Sequence, residues 1–156
     1  MYKLMKIGKL DISKLNTVAF ILNTCGKDMA NKYDLHHWDN PLIKTLIIVG
    51  LCDLKNEIYL LYDGNKPVAT FMTKRNQDEL HFEKLATLPS KSGKGIGSYC
   101  MSKIEEMARD VRCEKVVMEV YEPSQHAISF YEHKGYTVVG MTDTLKYKEV
   151  KMEKRI

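Results

Sequence analysis

A glycine-rich stretch is the first place where residue type and spacing point to chemistry. Residues 90–98 read Ser-Lys-Ser-Gly-Lys-Gly-Ile-Gly-Ser and lie between a strand-like and a helix-like segment. Free backbone N–H groups at a helix start, together with the helix dipole, attract anions. Gly93, Gly95 and Gly97 carry no side chains that would keep an anion away. The stretch predicts a phosphate-binding loop, although alone it equally fits a plain turn at a helix start.

The two standard nucleotide motifs do not fit this loop. A P-loop needs Gly-Lys followed by Ser or Thr to hold magnesium, but Gly95 follows Lys94. The dinucleotide fingerprint needs G-x-G-x-x-G, whereas these glycines are spaced by two throughout. A nucleotide-binding regulatory domain is therefore disfavoured.

A second motif lies downstream, in residues 124–136. Together the two motifs resemble the GNAT superfamily of acyl-coenzyme A-dependent N-acyltransferases. Members carry a Gln/Arg-x-x-Gly-x-Gly/Ala loop between a strand and a helix, followed by a segment of the type Asn-x-x-Ala-x-x-Phe-Tyr-x-x-x-Gly-Phe. The matching positions of the second motif are Ala127, Phe130, Tyr131, Gly135 and Tyr136.

The resemblance implies that acetyl-coenzyme A is the co-substrate. The backbone of residues 85–87 would pair with the pantetheine arm like an added strand, and the backbone of residues 93–97 would hold the pyrophosphate. The implied cofactor-binding residues are Leu85, Ala86, Thr87, Ser92, Gly93, Lys94, Gly95, Ile96, Gly97, Ser98, Ser124 and Tyr131.

The chain departs from the family pattern at two positions. Ser92 stands where Gln or Arg is usual, which removes one pyrophosphate contact; Lys91 or Lys94 could compensate as a point charge. Ser124 stands where Asn is common. A serine can still cap the helix, but it offers one hydrogen-bond donor where an amide offers two.

Amine acylation needs a base for the amine, stabilisation of the thioester oxygen and an acid for the leaving thiolate. Tyr131 matches the family tyrosine near the departing sulfur, which implies a general acid. The alternative is a core aromatic that packs beside Phe130.

Three side chains are candidates for the base. His81 and Glu83 are two residues apart on a predicted strand and hence on one face. We favour Glu83, which lies nearer the reacting end. Glu119 on the neighbouring strand is the third candidate and is also assigned to the acceptor site. Each of the three equally fits an ordinary solvated or paired strand residue.

Residues 36–40, His-His-Trp-Asp-Asn, lie between two predicted helices, a region that often covers the acceptor site in this superfamily. We assign Trp38 and Asp39 to acceptor binding, since an aromatic face beside a carboxylate suits an ammonium ion. The alternative is an ordinary loop with Trp38 in the core and Asp39 helping to cap a helix. Adjacent histidines without a third ligand predict no metal site.

These residues must be positioned by alternating strands and helices. The predicted fold class is mixed α/β, a GNAT-like central mixed β-sheet of about seven strands flanked by about four helices, forming one domain over residues 1–156. A right-handed crossover makes the strands on either side of the glycine loop parallel. The predicted strands are 2–7, 57–62, 67–73, 80–88, 115–121, 136–140 and 146–152.

Cap signals and apolar spacing predict the helices. The first begins after Asp11 or Ser13, and the second begins near Pro41 with Asn40 as its cap. The third follows the glycine loop and ends at residues 113–114. The fourth is capped by Ser124, ends near residue 134 and is followed by Gly135.

Composition excludes several classes. The 156 residues carry a net charge of +4, too mild for nucleic acid, and the apolar run 42–52 is far shorter than the roughly 20 residues a bilayer needs. The four cysteines form no C-x-x-C pair, which predicts no zinc site. No signal peptide precedes them, which predicts buried reduced thiols in a cytoplasmic protein. The basic residues of the tail alternate with other residues as in a solvated edge strand; they are Lys146, Lys148, Lys151, Lys154 and Arg155.

The expected partner is a small-molecule or peptide amine, with no nucleic acid and no membrane; a homodimer is left open. The favoured function is acetyl transfer from acetyl-coenzyme A to a primary amine by direct transfer in a ternary complex. The alternative is a non-catalytic acyl-coenzyme A-binding regulatory module of GNAT-like fold. Retention of Tyr131 and of the strand carboxylates favours the enzyme.

Overall fold

The computed structural model describes residues 1–38, 55–145 and 147–156. In these ranges a short 3-10 turn, Pro89–Lys91, precedes the second of three α-helices. The elements in chain order are β1 Tyr2–Ile7, α1 Ile12–Tyr33, β2 Glu57–Asp63, β3 Lys66–Asn76, β4 Glu79–Thr87, α2 Ile96–Asp110, β5 Lys115–Tyr121, α3 Gln125–His133, β6 Thr137–Asp143 and β7 Lys148–Arg155.

The seven strands form one mixed sheet in the order β1-β2-β3-β4-β5-β7-β6. Every neighbouring pair is antiparallel except β4 and β5, which are parallel as the crossover through α2 requires. Their pairing runs only from Glu79↔Lys115 to His81↔Val117. Because β4 continues to Thr87 and β5 to Tyr121, the two strands separate towards their carboxyl ends and leave a gap in the sheet.

Two hydrophobic clusters cover the two faces of the sheet. The face of α1 that carries Leu15, Val18 and Leu22 packs with Leu60 and Met72. On the other face, the buried stripe of α2, which includes Cys100, Ile104 and Ala108, packs with strand residues of β3, β4 and β5. This is the helical spacing on which both helices were predicted.

The helix predictions need several corrections. Among the described residues there are three α-helices and not four, and the helix predicted from Pro41 falls in residues 39–54, outside that part. Asp11, not Ser13, caps α1, because its carboxylate accepts a hydrogen bond of 3.2 Å from the Lys14 N–H. Helix α2 ends at Asp110 because Arg112 adopts a left-handed conformation with φ 59°. Ser124 precedes α3 but makes no capping side-chain hydrogen bond.

The strand predictions are right for β1 and β5 and shifted by up to three residues elsewhere. Strand β3 extends to Asn76, so only Gln77 and Asp78 separate it from β4. The prediction of a solvated edge at the tail is wrong, because β7 lies between β5 and β6. Because the long stems of lysine side chains cover apolar surface, the sequence of a lysine-rich inner strand resembles that of an edge strand. Lys154 also forms a 2.7 Å ion pair with the buried Glu105.

Two further expectations bear on the chemistry of the chain. Cys25, Cys100 and Cys113 are free, buried thiols as predicted, and Cys52 lies outside the described residues. In the described part of the chain no helix is long and apolar enough to cross a membrane.

Candidate active site

A cavity of about 490 Å³ occupies the gap between β4 and β5. Its walls are the diverging ends of both strands, the last turns of α1 and the first turn of α3. Pro89 and Ser92 reach it from the glycine loop, while Tyr147 and Glu149 reach it from the start of β7.

A β-bulge explains part of the divergence of β4. Thr70 pairs with Ala86 and Met72 with Glu83, so Lys84 and Leu85 together face a single residue of β3. Lys84 adopts a left-handed conformation with φ 54°. A bulge bends and twists its strand, which turns the end of β4 away from β5. Nothing in the sequence indicated this bulge, because lysine has no preference for left-handed backbone.

The predicted pantetheine-binding residues follow this bulge. Leu85, Ala86 and Thr87 line the cavity, beyond the last pair that β4 forms with β5. Their backbone groups on that edge are therefore free of the parallel ladder. The Thr87 carbonyl, however, accepts a 2.9 Å hydrogen bond from the Cys25 thiol.

The glycine loop has the geometry that its sequence predicted at two of three glycines. Gly93 and Gly95 have φ values of 75° and 77°, and a Cβ at either position would meet no atom within 4 Å. Gly95 is the N-cap of α2, so the first N–H groups of that helix have no intrahelical acceptor.

Gly97 and Ser92 differ from that expectation. A Cβ on Gly97 would lie 3.4 Å from the Phe130 ring, at van der Waals contact, so this glycine faces α3 and not open space. Ser92 donates its hydroxyl proton to the Pro89 carbonyl at 2.7 Å, which closes the turn before the loop.

Tyr131 satisfies both interpretations of its motif. Its ring lies 5.2 Å from that of Phe130 and 5.8 Å from that of Phe82, in an aromatic core, and it also lines the cavity. Among the described residues its hydroxyl has no hydrogen-bond partner. Burial raises the pKa of the Tyr131 phenol well above its usual range, so the hydroxyl keeps its proton and can donate it.

The three candidate bases lie close to one another but face different spaces. Glu83 lines the cavity and accepts a 3.1 Å hydrogen bond from the Asn56 amide. Glu119 also lines it and pairs with His81 Nε2 at 2.5 Å. His81 lines instead a smaller cavity of about 240 Å³, which Glu119 shares.

His81 and Glu119 form an ion pair. Burial lowers the pKa of His81, but the hydrogen bond and charge of Glu119, together with the charge of Glu83, outweigh it and raise that pKa. The hydrogen bond from His81 lowers the pKa of Glu119 against the effect of burial. His81 lies outside the main cavity, so among the three candidate bases only Glu83 and Glu119 offer a basic group there.

Four rings, which we call the aromatic cluster, form the far wall of the cavity: His37, Trp38, Tyr121 and Tyr147. His37 stacks on Tyr121 with 4.2 Å between centroids, and Tyr147 meets Tyr121 edge-on at 5.2 Å. Burial, with a contribution from His126, lowers the pKa of His37 to about 4 and keeps it neutral. Sequence reasoning missed Tyr121 and Tyr147, which only the folded sheet brings beside residues 37–38.

Trp38 lies at the cavity and also packs against the cluster around α1, so it fits both of its predicted roles. Gly26 makes this approach feasible, because a Cβ there would lie 2.3 Å from the Trp38 carbonyl oxygen.

His36 lies outside the aromatic cluster and pairs with Asp34 at 2.7 Å on the surface. Asp39 lies outside the described residues. Nowhere in the described ranges do three His, Cys, Asp or Glu side chains form a group suited to a metal ion.

Glu149 is a further cavity residue that sequence reasoning missed. Burial and the charges of Glu119 and Glu83 raise its pKa, while Lys84 and His81 oppose them. No hydrogen bond or ion pair to Glu149 is formed by the residues that the structure describes. The register Tyr121↔Glu149 places it beside the aromatic cluster.

Comparisons with known proteins agree with this architecture. Residues 22–136 match the model of the acetyltransferase (GNAT) family. The chain is 25% identical over 118 residues to the uncharacterized protein YxbD of Bacillus subtilis, covering 74% of this chain and 73% of YxbD.

Two solved structures share the fold. The ribosomal-protein-S18-alanine N-acetyltransferase of Escherichia coli superposes with a TM-score of 0.76 at 15% identity, covering 100% of this chain and 94% of that one. The PaiA N-acetyltransferase of Thermoplasma acidophilum, in complex with coenzyme A, gives a TM-score of 0.77 at 16% identity, with 100% and 99% covered.

Proposed function

This chain belongs to the GNAT family of acetyltransferases, and we propose that it moves the acetyl group of acetyl-coenzyme A directly to a primary amine within a ternary complex. The observation that carries the proposal is the cavity in the split sheet. It reaches the glycine loop at one end, and Tyr131, three glutamates and the aromatic cluster line its walls.

Backbone geometry supports the binding of acetyl-coenzyme A, the acetyl donor, at the end of the cavity near the glycine loop. The β4 edge over residues 85–87 lies beyond the parallel ladder, so it offers hydrogen bonds to an extended pantetheine arm as an added strand would. Residues 93–97 lie at the start of α2, whose N-cap is Gly95, and the helix dipole and free N–H groups there favour a pyrophosphate. Open space around Gly93 and Gly95 leaves room for that group.

The chemistry needs one proton acceptor and one proton donor. Glu83 takes a proton from the ammonium group, directly or through water, and the neutral amine then attacks the thioester carbonyl. The new C–N bond forms, the C–S bond breaks and Tyr131 donates its proton to the departing thiolate. The acylated nitrogen then loses its second proton, which restores the Tyr131 phenol, so the net proton of the reaction remains on Glu83. Trp38 and Glu119 bind the acceptor beside the aromatic cluster, and Asp39 is assigned to the same site.

A screen for free-thiol release tests this proposal. The protein is incubated with acetyl-coenzyme A and a panel of polyamines, aminoglycosides, amino acids and peptides, and the coenzyme A thiol is measured. We expect amine-dependent release with at least one acceptor. Tight binding of acetyl-coenzyme A without amine-dependent release across the panel would instead identify a non-catalytic acyl-coenzyme A-binding module.

A further inference from the structure

The acceptor end of the cavity has more negative charge and more ring surface than a single amine requires. One amine needs one carboxylate as base, and Glu83 and Glu119 already offer two. Glu149 adds a third in the same cavity, beside Tyr121 and Tyr147. This carboxylate and these rings have no part in the proposed acetyl transfer itself.

The strand register places these groups on one face. Tyr121 pairs with Glu149 and Glu119 pairs with Lys151 across β5 and β7. Because alternate residues of a strand share a face, Glu119, Tyr121 and Glu149 all project to the same side. Diagonal neighbours in such a pair lie roughly 7–8 Å apart, which sets the separation of Glu119 and Glu149.

Within the described ranges, the carboxylate of Glu149 has no direct partner. Lys84, which lines the same cavity, and His81 contribute opposite charge, but no described residue forms an ion pair or hydrogen bond with Glu149. His81 is already paired with Glu119. A half-buried carboxylate without a partner is stabilised by a bound cation, and ring faces close to it favour the same kind of ligand.

We propose that the acceptor is a small dication of the α,ω-diamine class, whose reacting amine lies near Glu83 and Glu119 and whose second ammonium group is held by Glu149, Tyr121 and Tyr147. This inference rests on the proposed acetyltransferase function and adds to it the class of acceptor. The second amine stays protonated throughout, and the products are the monoacetylated diamine and the coenzyme A thiol.

The test compares a series of unbranched α,ω-diamines of increasing length with monoamines of the same chain length. We expect a higher kcat/KM for diamines, with an optimum length. Glu149→Gln should lower kcat/KM for the best diamine by roughly tenfold, as for the loss of one charge-assisted hydrogen bond, and change that for the monoamine by less than about twofold. Tyr147→Leu leaves the Glu149 carboxylate in place and should lower kcat/KM for the best diamine by about 2- to 30-fold.

Glu132→Gln, an exposed change on α3 that removes the same charge, serves as the matched control and should leave the preference intact. Equal use of diamines and monoamines by the unaltered protein would overturn the inference and leave acetyl transfer standing. A diamine preference that survives in both folded variants, Glu149→Gln and Tyr147→Leu, would also overturn the inference and leave acetyl transfer standing. Calorimetric binding of the diamine that depends on Glu149, without acetyl transfer, would support the dication site and contradict the proposed enzyme.

Discussion

Tyr131 and Glu83 face one cavity from different elements, a helix and a strand. The phenol keeps its proton because burial raises its pKa, whereas Glu83 is positioned by the Asn56 amide. A proton donor and a proton acceptor held apart in this way suit a reaction that removes a proton from one partner and gives one to the other.

Tyr131→Phe should lower kcat by about 10²-fold, the effect expected for losing a general acid, and change the Kd of acetyl-coenzyme A little. The ring is retained, so its packing with Phe130 and Phe82 is preserved. Steady-state kinetics and calorimetry provide the two readouts. Unchanged turnover, with chemistry shown to limit the rate, would assign Tyr131 to the core alone.

Glu83→Gln should depress the rate at neutral pH and much less at high pH, where the amine loses its proton without help. The amide keeps the size of the side chain. The measurement is the pH profile of kcat/KM, with Glu132→Gln as a surface control. A profile like that of the unaltered protein would place the base elsewhere, with Glu119 as the next candidate.

The His81–Glu119 pair should stabilise the fold within a defined pH window. His81 has a raised pKa, so its contribution is fully present below about pH 6.5 and is lost as the pH rises through its folded value. Glu119 has a lowered pKa, so its contribution is present above about pH 4.3 and is lost as the pH falls through its folded value.

His81→Gln should therefore lower the melting temperature most between about pH 4.3 and 6.5. The difference from the unaltered protein should shrink at alkaline pH. Melting curves across the pH range test this, and a pH-independent difference would mean that His81 acts through packing alone.

At the scale of elements, the site depends on the split between β4 and β5 and on the start of α2. Helix α2, its glycine loop and the parallel strands could all be predicted from glycine spacing and helical periodicity. The bulge at Lys84 could not, because its cause is the pairing with β3 and not a residue preference. The aromatic cluster could not either, since its rings come from three distant segments.

Gly95→Asn should weaken acetyl-coenzyme A binding while the fold is retained. Asparagine tolerates the left-handed backbone found at Gly95, so the added side chain enters the open space without severe strain. Gly64→Asn is the matched control, since Gly64 also has a positive φ and open space around it, in the hairpin between β2 and β3. Equal calorimetric affinity of the folded Gly95→Asn variant and the unaltered protein would contradict the pyrophosphate assignment.

At the scale of the whole molecule, element order and the two linked motifs sufficed to predict a mixed seven-stranded sheet. They could not predict which residues meet at the acceptor end. Glu149 is one of two glutamates in an alternating tail, and only the position of β7 next to β5 brings it to the cavity. Local pattern determines elements, whereas sites built from distant strands depend on register.

The central claim is that an acetyl group passes from acetyl-coenzyme A to an amine in this cavity. The most direct test follows an isotopically labelled acetyl group by mass spectrometry while the coenzyme A thiol is measured in the same reaction. The account predicts one labelled acetyl group on the amine product for each thiol released. Thiol release with the label recovered as free acetate, at a rate independent of the amine, would contradict it.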